Sequence, residues 1–183
     1  PKIAVVHSIL VPGGGTEAVT AWTVDALKQQ YAVSLITFSQ LDMKELDGFY
    51  GTDLASGGFS IVKPSLPPLI GRTRRFAALK DHLMMRYCAK ATREFDLIAG
   101  VGPMDFGTKG IQYVGLSPDS SSLKVLGKDP QLGFGKFLLK RTALHFWGAI
   151  SGFSQNRCKQ NISLMTSKWV GEACAKIYGI DEY

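Results

Sequence analysis

Six short apolar runs divide this chain of 183 residues, and the stretches between them carry apolar residues at helical spacing. The runs are KIAVV (2–6), AVSLITF (32–38), FSIV (59–62), DLIAGV (96–101), IQYV (111–114) and NISLM (161–165). Most are continuously apolar rather than alternating, the pattern of strands covered on both faces. Helices are expected at 16–30, 42–50, 74–94, 135–151 and 167–178. Thr16 and Ser167 are the candidate N-caps, because a hydroxyl can accept from an unpaired amide of the first turn, and Gly179 is a C-terminal stop. This alternation of strand and helix leaves few architectures. It specifies an α/β domain with a mostly parallel sheet of about six strands and helices on both faces.

A hydrophobic content of 45% with 20% charged residues supports one domain with a substantial core. No apolar run approaches the ~20 residues of a membrane span, and the first residues form no basic-then-apolar leader. A cytoplasmic location is the expectation. Cys88, Cys158 and Cys174 are odd in number and lack CxxC spacing, so they read as buried thiols rather than a disulfide framework or a zinc site. Lys and Arg total 21 against 15 for Asp and Glu, and the net charge of +6 favours anionic partners without choosing among them. In 74–94, Phe76, Leu79, Leu83, Tyr87 and Ala91 are expected to face the sheet, opposite a stripe of Arg75, His82, Arg86, Lys90 and Arg93. That stripe is either a solvated face or a contact for an anionic acceptor or membrane surface.

The stretch PGGGTEAV (12–19) sits where the first strand passes into the first helix. Glycines there permit close approach of another group to the backbone, and amides at a helix N-terminus suit a phosphate. A tight connection without a ligand is the alternative. The Walker loop GxxxxGK[ST] and the dinucleotide fingerprint GxGxxG are both absent, and the second strand ends in FSQ rather than an acidic ribose ligand. NAD is disfavoured.

The opening PKIAVVHSILVPGGGTEAVTAWTVDALKQQYAVSLITF resembles that of family-four retaining glycosyltransferases of GT-B architecture. Gly14, Gly15 and Glu17 fill the family's GGxE loop, with Ala18 where a basic residue often follows. NISLMTSKWVGEACAKIYGID is similar to the strand, turn and helix that close such N-terminal domains, while FDLIAGVG and IQYVGLSPD match in character between the two ends. The resemblance implies one Rossmann-like domain over 1–183, the acceptor-side half of the enzyme, with the C-terminal donor-binding domain absent. No pair of glutamates eight positions apart, the family's mark of that second domain, occurs. The chain alone is therefore expected to be inactive.

What the resemblance implies for chemistry is transfer of a sugar from a nucleotide-sugar donor with retention of anomeric configuration, without metal or cofactor. Gly14 and Gly15 become the candidates for the donor diphosphate, with Thr16 capping the helix behind them; Glu17 either supports the first turn or orients the loop. Asp105, in a loop after a buried strand, is the candidate acidic group at the acceptor, with loop capping as the alternative. His7, Arg74, Arg75, Tyr113 and Ser117 are the candidate acceptor contacts, with Arg72 and Asp119 beside them; a bond to the loop backbone is the alternative for His7, and an ordinary turn for Ser117 and Asp119. Gly115 holds the place where many members carry a histidine, and His145 reads as a packed helix residue. Expected partners are a nucleotide sugar, a carbohydrate or lipid-linked acceptor and the missing domain, with peripheral membrane contact open. A stand-alone module for a nucleotide or anionic polymer is the alternative, although no helix-turn-helix, RNP motif or aromatic-interleaved basic groove supports nucleic acid binding.

Overall fold

The computed structural model describes residues 1–66, 70, 77–115 and 146–180. Six strands, β1 (Lys2–Val6), β2 (Ala32–Ile36), β3 (Phe59–Val62), β4 (Leu97–Val101), β5 (Ile111–Val114) and β6 (Ile162–Met165), form one sheet in the order β3-β2-β1-β4-β5-β6. Every pairing is parallel. With helices on both faces this is a Rossmann-like α/β domain, as expected. The strands at 2–6, 59–62 and 111–114 keep their expected bounds, whereas the second ends at Ile36, after which the Thr37 amide still donates to the Val62 carbonyl and the Phe38 amide donates to that of Ser8.

The helices are α1 (Gly15–Leu27), α2 (Met43–Tyr50), α3 (Ala77–Ala91), α4 (the helical residues 146–151), α5 (Gln155–Lys159) and α6 (Lys168–Tyr178). None of the described helices is long and apolar enough to cross a membrane. Ile3 and Val5 point to one face and pack with Ala21 and Val24 of α1 and Leu46 of α2. Ala4 and Val6, of opposite pleat, pack with Met84, Met85 and Cys88 of α3. Full burial of each such aliphatic side chain contributes about 1.5–3 kcal/mol, so the two layers clamp β1 at the centre of the sheet. Chain order reverses between β1 and β4, which opens the crevice at their carboxyl ends where ligands of such sheets bind.

Two expectations need correction. Of the expected stripe of α3, Leu79 and Ala91 are buried, Tyr87 is half-buried against the core, Leu83 is half-buried and Phe76 lies outside the described residues; Met84, Met85 and Cys88 are buried as well, so the covered face is broader than expected. A second layer packs on the helix: His82 meets the Ser151 hydroxyl at 3.1 Å and stacks edge-on against Phe153, and Arg86 donates to the Ile150 carbonyl. The stripe is thus partly covered, though Arg86, Lys90 and Arg93 stay exposed. Thr16 is not an N-cap either. α1 begins one residue earlier, with Gly14 at the cap and no side-chain cap bond, and Thr16 Oγ1 donates instead to Glu17 Oε2 at 2.8 Å. Ser167 does cap α6, accepting from the Val170 amide, and Gly179 ends that helix in the left-handed conformation.

Candidate functional site

The three glycines of the bend stand in three different surroundings. Gly13 has φ +129°, a conformation that side chains of L-residues rarely adopt. At Gly14 a Cβ would lie 2.0 Å from Glu17 Oε2, so the glutamate folded back over the bend would have to swing away from any side chain there. Gly15 is exposed, has no positive φ, and a Cβ there would meet no atom within 4 Å. Packing among the described residues gives no account of it.

The amides divide in the same way. Gly13 donates to the Tyr50 hydroxyl at 2.9 Å and Gly14 to the same oxygen at 3.3 Å, and that hydroxyl returns its proton to the Gly14 carbonyl at 3.2 Å. The Gly14 amide is therefore engaged within the protein. Among the described residues, the amides of Gly15, Thr16 and Glu17 have no acceptor, and they stand at the positive end of a helix of 13 residues.

His7, one residue past β1, lies behind this bend. Its Nδ1 is 2.6 Å from Thr20 Oγ1, and because that hydroxyl donates to the Thr16 carbonyl at 3.1 Å, Nδ1 is assigned as the donor. Nε2 lies 4.0 Å from Glu17 Oε1. Desolvation holds the imidazole below its ordinary pKa, and the Glu17 charge opposes that shift without reversing it. His7, Thr16, Glu17 and Thr20 thus form one polar cluster at the start of α1.

Tyr113, the penultimate residue of β5, lies on the same rim. A Cβ on Gly115 would lie 3.6 Å from Thr16 Cγ2, 3.5 Å from Thr166 Cγ2 and 3.9 Å from Tyr113 Cε1, which places the ends of β5 and β6 beside the glycine bend. A cleft of about 550 Å³ runs from there along the sheet face, lined by Thr20, Val101, Tyr113 and Leu164 among others and largely apolar. Arg72, Arg74, Arg75, Ser117, Asp119 and His145 lie outside the described residues.

Asp105 does not share this rim's openness. It is 2% exposed, and its oxygens accept from the Gly107 amide at 2.9 Å, the Ser154 amide at 2.7 Å and the Arg157 guanidinium, whose Nη2 is 2.8 Å from Oδ2. The carboxylate raises the guanidinium's pKa further, chiefly through these hydrogen bonds. Beneath it, Gln112 and Asn161 form a buried network with Met104, Gly110 and Ser163. The loop-capping alternative describes this geometry. Sequence reasoning missed Tyr50, Thr20 and Arg157 because each acts across 13 to 52 positions of chain.

No family model matches the chain, and no curated protein matches it. Among solved structures, a glycosyltransferase from Rickettsia africae ESF-5 matches at a TM-score of 0.36 and 12% identity, over 98% of this chain and 49% of its own. The present chain spans about half the length of that structure.

Proposed function

We propose that this chain is the acceptor-side domain of a retaining glycosyltransferase that uses a nucleotide-sugar donor, with the bend before α1 meeting the donor diphosphate. The observation that carries the reading is Gly15: an exposed glycine for which packing among the described residues gives no account, beside amides that no described residue accepts at the positive end of α1. The order and spacing of the GGxE loop and the closing strand, turn and helix support it. In the reaction the bond from the anomeric carbon to the diphosphate oxygen breaks as a bond to the acceptor oxygen forms on the same face, and the acceptor's hydroxyl proton passes to the departing diphosphate. Amide dipoles fixed at the Gly15 and Thr16 end of the helix offset the charge gathering on the departing phosphate, and need no reorganisation to do so.

On this reading His7 and Tyr113 face the acceptor. Neutral His7 offers Nε2 to a hydroxyl, and Tyr113 closes the far side of the rim. Arg74, Arg75 and Ser117 remain proposed acceptor contacts on sequence grounds. Asp105 acts as a positioning residue, holding the loop after β4 rather than touching the sugar. The second, donor-binding domain belongs to the proposal, and the chain alone is expected to release no more nucleoside diphosphate from a nucleotide sugar than buffer does.

The test is a titration of the ¹⁵N-labelled chain with a nucleoside diphosphate. Saturable shifts centred on the Gly15 and Thr16 amides are expected. Shifts confined to exposed Lys and Arg residues and abolished by moderate salt would overturn the reading in favour of a binder of anionic polymers.

A further inference from the structure

Tyr50 is far from the glycines in sequence, yet both ends of the residue are bonded to the glycine bend and the helix it opens. Its hydroxyl accepts two amides, those of Gly13 and Gly14, and donates to the Gly14 carbonyl. A phenolic oxygen has one proton and two lone pairs, so this set saturates it. Its backbone carbonyl meanwhile accepts from Trp22 Nε1 of α1 at 2.8 Å. The helix that carries Tyr50 is itself held at both ends. Asp42 caps its start through the Lys44 and Glu45 amides, and Asp47 gathers the Thr52 hydroxyl and the Leu54 and Ala55 amides beyond its end.

Three successive glycines lose more conformational freedom on ordering than any other triplet, so a bend built from them needs an external restraint to present one set of amides. We infer that Tyr50 is the positioning residue of this bend: it draws the Gly13 and Gly14 amides inward and so determines that Gly15 and Thr16 are the ones offered to a phosphate. The second half of this statement rests on the phosphate reading above; the first half does not. Tyr50 touches no reacting atom. Its contribution is preorganisation, which appears as affinity.

The experiment compares the unaltered chain with Tyr50→Phe, which removes one oxygen and leaves the ring. Hydrogen-exchange protection at the Gly13 and Gly14 amides is expected to fall about tenfold, the worth of an ordinary hydrogen bond, while strand amides of β1 keep theirs. The dissociation constant for inorganic pyrophosphate, read at the Gly15 and Thr16 amides well below the melting temperature, is expected to rise by about the same factor. Site-specific 3,5-difluorotyrosine at position 50, measured at acidic pH where its more acidic phenol stays protonated and is a weaker acceptor of nearly the same shape, serves as the second variant should Tyr50→Phe fail to fold, with an intermediate loss of protection expected. Unchanged protection at Gly13 and Gly14 overturns the inference, and so does a lowered melting temperature with protection and affinity intact. If pyrophosphate moves no amide of the unaltered chain, the phosphate reading falls, and exchange alone then decides whether Tyr50 holds the bend.

Discussion

The loops that follow β1 and β4 leave the same edge of the same sheet, and they differ in how their polar groups are used. After β4, Asp105 is buried and each of its oxygens is bonded to Gly107, Ser154 or Arg157. After β1, the exposed Gly15 and its two successors hold out amides that no described residue accepts. A saturated, desolvated carboxylate has little left to offer a substrate, since every new bond would break an old one. Open amides at a helix terminus have their interactions still to make. Position at the ligand-bearing edge is therefore a weak guide by itself, and the state of satisfaction at each loop separates support from contact.

The largest effect that tests this contrast is Asp105→Ala. It strips Arg157 of its carboxylate and leaves the Gly107 and Ser154 amides without acceptors, at an expected cost of about 3 kcal/mol in urea-denaturation stability. Asp105→Asn should recover part of that loss by keeping an acceptor oxygen. A stability change under about 0.5 kcal/mol, the usual range for a surface substitution, would break the contrast and return Asp105 to the acceptor site.

Within the glycine bend the contrast can be sharpened residue by residue. Gly13→Ala should cost about 1–3 kcal/mol, because alanine must adopt the positive φ of that position. Gly15→Ala should leave stability unchanged or raise it by up to about 1 kcal/mol, since alanine is the better helix former and its methyl enters open space. Pyrophosphate affinity should move the other way and fall about tenfold, the equivalent of one hydrogen bond to a charged group. Denaturation and amide titration on the same two variants decide the matter: a Gly15→Ala chain that binds as before removes the ground on which that glycine was assigned to a ligand.

The sheet was legible in the sequence because parallel strands are written as mostly apolar runs, continuous at the central β1, and the six runs sit where six strands formed, although Ile61 of β3 and Ile162 and Leu164 of β6 are exposed. The capping hydroxyl of Ser167 and the terminal Gly179 were legible for the same local reason. The full covered face of α3 was not: Leu79 and Ala91 were legible, but Met84, Met85 and Cys88 were not, and the layer that meets His82 comes from Ser151 and Phe153, some 69 positions away. The bend was half legible: three glycines announced an unusual backbone, but Tyr50, which engages two of the three amides, left no mark beside them. Asp105 was placed at the right edge, but its partner Arg157 left no mark beside it, because Arg157 comes from beyond β5.

The smallest expected effect concerns His7, the one titratable group that joins the strand end to the bend. Desolvation lowers its folded pKa below the 6.5 of an unperturbed histidine, with Glu17 opposing. Unfolded chains then bind the proton at a pH where folded ones still refuse it, so the contribution is fully present above about pH 6.5 and is lost as pH falls from there through the folded pKa. His82 is lowered by desolvation as well and adds a slope of the same sign, so the two must be separated. Stability of the unaltered chain measured between pH 7.5 and 5 should decline more steeply than that of His7→Gln, with the difference confined to this window. Equal slopes would mean that Glu17, 4.0 Å from Nε2, compensates burial in full, and that the start of α1 tolerates a positive charge behind the bend. Such a charge would add to the pull of the open amides on a phosphate, and would make the β1 loop more unlike the saturated β4 loop than neutral His7 does.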